Sequence, residues 1–239
     1  MENLREMIDK FFITDNRWHY YLDGLGTTLR VTVGALLIGL VIGVVVSIIR
    51  SSHDQIRQEE LNPPARFVFW LLDAAARLYL TVIRGTPTVV QLLLFFFFFL
   101  QNVDNKATVA TIAFGINSGA YLAEVFRSGI MSIDKGQMEA GRSLGLSYTV
   151  TMRKIILPQA FKNALPALIN EVITLLKETS ICGYIGLNDL TRGAQIIGGA
   201  TYEYLIPLLA AALIYLAVVM FFTWVMGMIE RRLRENDRR

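Results

Sequence analysis

Residues 137–158 read Gln-Met-Glu-Ala-Gly-Arg-Ser-Leu-Gly-Leu-Ser-Tyr-Thr-Val-Thr-Met-Arg-Lys-Ile-Ile-Leu-Pro. The segment is polar and basic, and strongly apolar stretches flank it on both sides. The 239-residue chain is 54% hydrophobic and has a mean hydropathy of +0.45, a value that soluble domains of this length rarely reach. The segment therefore reads as a long loop between membrane spans. Its spacing is regular: Glu139-Ala140-Gly141, three residues, Gly145, nine residues, then Ile155-x-Leu157-Pro158. A short helix over Gln137–Leu146 is expected, with Gly145 permitting a sharp exit that a side chain would hinder.

Outward from this loop, about 20 apolar residues suffice to cross the hydrocarbon core as a helix. Such stretches place five spans at about 25–49, 86–101, 107–129, 161–181 and 204–229, with the loop at 131–160. Arg30 interrupts the first span, and the fourth is polar. The second is short by itself but continues a helical pattern that begins near Phe67. Over 66–84, Phe67, Trp70, Leu71, Ala74, Leu78 and Val82 recur at helical spacing, while Asp73, Arg77 and Arg84 share another face. This is an amphipathic helix, expected to lie at the cytoplasmic interface. Pro87 disfavours helical geometry at Thr86, so Arg84-Gly85-Thr86-Pro87 should break it and let the chain enter the bilayer. The run Phe95–Phe99 reads as a lipid-facing and packing surface.

Lysine and arginine counts orient the spans. With the C-terminus inside, the inner segments 50–66, 127–162 and 230–239 hold 14 basic residues, against 5 in the outer segments 1–23, 101–107 and 182–203. The N-terminus is thus expected outside and the C-terminus in the cytoplasm. Arg231, Arg232, Arg234, Arg238 and Arg239 would anchor the last helix at anionic headgroups. The first apolar span is too long for the core of a cleavable signal peptide. In that span Ala35, Gly39, Gly43 and Ser47 form a small-residue ladder, which suits close packing against another span or a second subunit.

Polar residues inside a membrane demand a reason, because a charge at the bilayer centre costs at least ~2.5 kcal/mol. On the third span Asn117, Tyr121, Glu124 and Ser128 share one face. On the fourth, Asn170, Glu171, Thr174, Lys177 and Glu178 cluster in the same way. These faces are expected to meet each other or a wet cavity. They either line a substrate path or pair internally to hold helices together, as Lys177 could with an acidic neighbour. Acceptors and donors occur together, a lining that suits a zwitterion better than a sugar or a bare anion.

Several classes of chemistry are missing. No Gly-x-x-x-x-Gly-Lys-Ser/Thr run occurs, so the chain carries no nucleotide-binding P-loop. No Gly-x-Ser-x-Gly or His-Glu-x-x-His motif occurs either. The single cysteine, Cys182, excludes an intramolecular disulfide. His19 and His53 are far apart, make no metal site, and read as solvated loop residues. Uphill transport would therefore draw its energy from another subunit or from an ion gradient.

The loop spacing resembles the cytoplasmic coupling loop of permease subunits of binding-protein-dependent ABC importers, whose pattern begins Glu-Ala-Ala where this chain has Glu139-Ala140-Gly141. Arg84-Gly85-Thr86-Pro87 with Gln91, the run Ala120–Ile130, and Leu165–Glu171 followed by Leu175–Ser180 look like polar amino-acid permeases of the histidine, glutamine and arginine type. The similarity runs over roughly residues 22–230. It implies an all-α membrane protein of the type I ABC importer permease kind, with a cytoplasmic coupling helix, in the cell inner membrane. It also implies a second permease subunit, either identical or different, a cytosolic ATPase dimer holding ATP and Mg, and an extracytoplasmic binding protein delivering an amino acid. By the same resemblance Glu139, Ala140, Gly141, Arg142, Leu144, Gly145 and Pro158 belong to the ATPase coupling element, Glu139 and Arg142 as polar contacts and Ala140 and Leu144 as groove-filling side chains. The substrate path would use Asn117, Tyr121, Glu124, Asn170, Glu171, Thr174, Lys177 and Glu178. The alternative from another class is a stand-alone ion-coupled transporter or channel using Glu124 and Glu171. The odd number of spans and the lack of two recognisable halves argue against it.

Overall fold

A computed structural model describes residues 4–55 and 62–235, and every regular element among them is helical. The elements are α1 (Leu4–Ile8), α2 (Trp18–Gln55), α3 (Pro63–Gly85), α4 (Thr88–Leu94), α5 (Lys106–Met131), α6 (Lys135–Ser143), α7 (Tyr148–Thr151), α8 (Leu157–Glu178), α9 (Leu190–Thr201) and α10 (Leu205–Glu235). Wider π-turns run over Asp9–Ile13, Phe95–Phe99 and Met152–Ile156, and a 3-10 segment over Thr179–Ile185.

Among the described residues, three helices are long and apolar enough to cross a membrane: Trp18–Ser51, Lys106–Met131 and Leu205–Arg232. The broken pair α3 and α4 with its π-turn would make a fourth. By itself the Thr88–Phe99 stretch rises only about 18 Å, well short of the roughly 30 Å hydrocarbon core. The helical pattern does not run on from Phe67 through this stretch, because Thr86 and Pro87 are both extended, at ψ 147° and 136°. The fourth expected span, α8, has 22 residues and Pro166 inside it; its polar stripe keeps it less apolar than the other three.

Two compact units are interleaved in sequence: Met1–Leu37, Pro87–Gly115 and Val172–Val225 in the first, and Ile38–Thr86, Ile116–Glu171 and Met226–Arg239 in the second. Helices α2, α5, α8 and α10 each contribute residues to both.

The first unit has two apolar clusters. In one, Val31 and Ala35 of α2 pack with Ala110, Ala113 and Phe114 of α5, together with Leu92, Leu175, Cys182 and Ile185. Phe95 and Phe96 pack against it, whereas Phe97, Phe98 and Phe99 are exposed. In the other, Phe11 is fully buried against Tyr21, Leu190, Ala194, Ile197 and Ala211. Lys10 adds an ion pair to Glu203 at 2.6 Å. Helix α9 begins at the buried Asp189, whose carboxylate accepts from the Thr191 and Arg192 N–H groups. Burial raises the Asp189 carboxyl above its ordinary range, and those N–H groups oppose the shift.

In the second unit the small-residue ladder of α2 meets α5. A Cβ at Gly39 would lie 3.2 Å from the Gly119 nitrogen, and one at Gly43 would lie 2.8 Å from Leu122 Cβ. The partner of the ladder here is therefore a helix of the same chain, at a backbone separation that larger residues would not permit. Gly119 in turn faces Ile42 and the Tyr79 hydroxyl, which donates to the Ile116 carbonyl at 2.6 Å.

Helix α3 has the opposite facing from that of a helix lying on a water interface. Its charged Asp73 is fully buried and Ala76 nearly so, while Phe67, Trp70, Leu71, Leu78 and Val82 are exposed. Protein groups satisfy the polar face and the apolar face is left outward, which suits lipid contact. Neither histidine is a loop residue: both belong to α2, and the His19 ring stacks on Trp18 at 3.7 Å between centroids. Arg238 and Arg239, and part of the 50–66 segment, lie outside the described residues.

Candidate functional site

The loop at 131–160 carries a helix over Lys135–Ser143, which overlaps the expected Gln137–Leu146 but starts two residues earlier and ends three residues earlier. Asp134 caps α6, accepting from the Gly136 N–H at 2.7 Å, and the helix ends at Ser143. Gly145 follows with φ +81°, in the left-handed region that favours glycine, and a Cβ there would meet nothing within 4 Å. The requirement for glycine is thus conformational and not steric. The Leu146 N–H reaches back to the Gly141 carbonyl at 3.1 Å and closes the turn. Ser147 then caps α7 by accepting from Val150 N–H.

Glu139, Ala140 and Arg142 are exposed, and Leu144 is 81% exposed, an unusual position for a leucine outside the lipid-facing helices. Gly141 is the exception on this helix. It is buried, and a Cβ there would lie 2.5 Å from Thr151 Cγ2 and 2.9 Å from Thr151 Oγ1. The departure from Glu-Ala-Ala therefore has a partner in Thr151, whose side chain occupies the space an alanine would need. Beside α6 lies an apolar groove of about 400 Å³, lined by Ile130, Ile133, Met138, Tyr148, Met152 and Ile156. Burial pushes the Tyr148 hydroxyl above its ordinary pKa. Pro158 is the second residue of α8, directly after the wide turn Met152–Ile156, where the helix must give up an N–H and clear the proline ring.

Of the stripe on α5, Tyr121 and Glu124 border a cavity, while its neighbour Ser118 meets α8. In the second unit, Asn117 is only 2% exposed, and the residue beside it, Ser118, carries the contact with α8, donating to Glu171 at 2.9 Å. Glu124 turns elsewhere, accepting from Arg127 at 2.6 Å and lying 3.8 Å from Arg84 of α3. The Arg84 guanidinium sits over the Tyr121 ring at 5.6 Å. Below them Asp73 is bridged by Arg50 and Arg77. An open cavity of about 690 Å³ is lined by Arg50, Arg77, Leu80, Thr81, Arg84, Gly85, Tyr121 and Glu124. Arg50 is the member that periodicity missed. It follows an apolar span and looks like a loop charge until α3 brings Asp73 to it.

Asn170 on the second-unit part of α8 is exposed. In the first unit Thr174 and Lys177 are also exposed, and Lys177 has no hydrogen bond or ion pair among the described residues. Lys177 borders a pocket of about 400 Å³ with Ser180, Thr191, Leu208, Ala211 and Tyr215. Glu178 interacts with the Thr88 side chain. The expected pairing of Lys177 with an acidic neighbour is absent among the described residues, since Glu171 and Glu178 are engaged by hydroxyls.

The family model of the binding-protein-dependent transport system inner membrane component matches residues 64–235. The chain belongs to this family. The arginine transport system permease protein ArtQ of Bacillus subtilis is 41% identical over 221 residues, covering 91% of this chain and 94% of that protein. The putative glutamine transport system permease protein GlnP of Rickettsia typhi is 36% identical over 220 residues, again 91% and 94%. Among solved structures, a chain from the crystal structure of an amino acid ABC transporter with histidines is 38% identical and matches with a TM-score of 0.80 over 97% of this chain and 99% of that one. A chain of the inward-facing MetNI methionine ABC transporter shares the fold at 18% identity, with a TM-score of 0.74 over 90% and 97%. The permease is thus an all-helical type I importer subunit, a transport component and not itself a catalytic enzyme.

Proposed function

We propose that this permease forms the substrate pathway of an ATP-driven importer for polar amino acids and couples it to a separate ATPase. The exposed Thr174 and Lys177 of the first unit support this reading, above all the ammonium of Lys177, which has no partner among the described residues. A zwitterion brings a carboxylate for that ammonium, and the uncharged Thr174 can bind and release without leaving a charge unpaired. Tyr121 and Glu124 line the arginine-rich cavity of the second unit. The identity to the arginine and glutamine permeases supports the same substrate class.

The exposed Glu139, Ala140, Arg142 and Leu144 form the surface on which a cytosolic ATPase holding ATP and Mg docks, with Gly141, Gly145 and Pro158 shaping it. A second permease subunit and an extracytoplasmic binding protein complete the assembly in the inner membrane, with the N-terminus outside and the C-terminus in the cytoplasm. The bias of 14 basic residues against 5 supports that orientation. The test is uptake and ATP hydrolysis by the reconstituted complex, offered amino acids, sugars and oligopeptides in turn. Polar amino acids should accumulate and stimulate hydrolysis, and Asn170→Ala or Thr174→Ala should impair uptake more than expression. Accumulation of a sugar or a peptide alone would overturn the amino-acid reading.

A further inference from the structure

The cavity of about 690 Å³ bordered by α3 has an excess of fixed positive charge. Four arginines, Arg50, Arg77, Arg84 and Arg127, share the two carboxylates Asp73 and Glu124. Within each set one arginine is held tightly and one is half free. Arg50 is largely buried against Asp73, whereas the Arg77 side chain is 55% exposed. Arg127 lies 2.6 Å from Glu124, whereas Arg84 is at 3.8 Å and 42% exposed. The two freer guanidiniums are seven residues apart on α3, two helical turns, so both project on one face about 10 Å apart along the axis. Thr81 and the Tyr121 ring border the same space.

Depth selects the ligand. Arg50 follows the apolar run of α2, and Glu124 and Arg127 lie near the end of α5, so the cavity sits where apolar helix gives way to charge. Guanidiniums are stable at that level and costly in the hydrocarbon core. Beside the cavity the outward face of α3 is apolar, with Leu71, Leu78 and Val82 exposed. An anion that fits here carries its charge on one end and acyl chains on the other. We infer that the cavity between α3 and α5 is a binding site for the phosphodiester headgroup of an anionic phospholipid, held by Arg77 and Arg84 and organised by the Arg50–Asp73 and Arg127–Glu124 pairs. Basic pockets between transmembrane helices are suited to such headgroups, and guanidinium forks match phosphate oxygens in a bidentate fashion.

The inference stands apart from the amino-acid reading, and its test reads lipid and not transport. The assembled complex is purified, and bound phosphatidylglycerol and phosphatidylcholine are titrated and counted by native mass spectrometry. Arg77→Gln leaves Asp73 paired with Arg50, and Arg84→Gln leaves Glu124 paired with Arg127, so neither variant strands a carboxylate. Each should weaken phosphatidylglycerol binding about 5-fold and the pair about 30-fold, with phosphatidylcholine unchanged. If the double glutamine variant does not assemble, Arg77→Lys with Arg84→Lys keeps the charge, loses the forks and should weaken binding several-fold. Equal phosphatidylglycerol binding by wild type and whichever double variant assembles would overturn the site. So would displacement of the lipid by inorganic phosphate, or by the amino-acid substrate, at concentrations that leave wild-type assembly intact.

Discussion

Replacing Gly141 by alanine tests how the α6 helix is held. The added methyl would lie 2.5 Å from Thr151 Cγ2, 2.9 Å from Oγ1 and 3.3 Å from Cβ. Real Cβ contacts do not approach that closely, so α6 and α7 must separate or Thr151 must rotate. Rotation would cost the Thr151 hydroxyl its hydrogen bond to the Ser147 carbonyl at 3.1 Å. Overpacking of this kind costs about 1–3 kcal/mol. Alanine also returns about 1 kcal/mol of helix propensity, since Gly141 lies inside a helix. The net expectation is a loss of about 1 kcal/mol confined to the α6–α7 corner. The Leu146 amide, bonded to the Gly141 carbonyl at 3.1 Å, reports on it. Hydrogen exchange at residues 144–146 should speed up about 5-fold in Gly141→Ala. Adding Thr151→Ala, which leaves only the contact at 3.3 Å, should restore most of the protection. If the single alanine variant exchanges at the wild-type rate, Thr151 does not dictate the glycine, and the account of this departure from Glu-Ala-Ala fails.

Three further outcomes are expected. Gly145→Trp should insert and assemble normally, because no atom lies near its Cβ, yet uncouple ATP hydrolysis from uptake, because φ +81° costs an L-residue about 1–2 kcal/mol and the exit from α6 will shift; full uptake at the wild-type ratio to hydrolysis would remove the conformational role. Asp73→Ala should destabilise the assembled permease by about 3 kcal/mol, read as a lowered unfolding temperature in detergent, since its fully buried carboxylate balances Arg50 and Arg77; an unchanged temperature would contradict that balance. Asp104→Cys should react with an impermeant thiol reagent from outside and Thr149→Cys from the cytosol, both positions being exposed while the native Cys182 is buried; the reverse pattern would invert the orientation.

Local chemistry was legible without the fold. Gly145 announced a turn because few residues accept left-handed backbone angles, while the short helix expected over Gln137–Leu146 lies at Lys135–Ser143, started earlier by the Asp134 cap. Pro87 announced the end of α3 because the residue before a proline is driven to extended geometry, and Thr86 is extended. The spacing Glu139-Ala140 to Pro158 pointed to the family before any coordinate did. Periodicity put Tyr121 and Glu124 on one face of α5, because 3.6 residues per turn is a property of the backbone alone, and both border the cavity.

What each face meets is a different question, because partners come from distant positions in the chain. The ladder Ala35, Gly39, Gly43, Ser47 could serve another span or another subunit; tertiary packing set Gly39 and Gly43 on α5. Asp73, Arg77 and Arg84 read as the wet side of an interfacial helix. Only Asp73 is turned fully inward, where Arg50 pairs with it, while Arg77 and Arg84 stay half exposed. Glu171 found Ser118 instead of Lys177, and Lys177 was left without a partner among the described residues. The long apolar helices, the break at Pro87 and the family were legible along the chain, because those depend on backbone geometry and hydropathy. Which charges neutralise each other, which glycine is steric and which is conformational, and where positive charge remains unbalanced were decided only in three dimensions, where residues 23, 40 and 53 positions apart come within contact of one another.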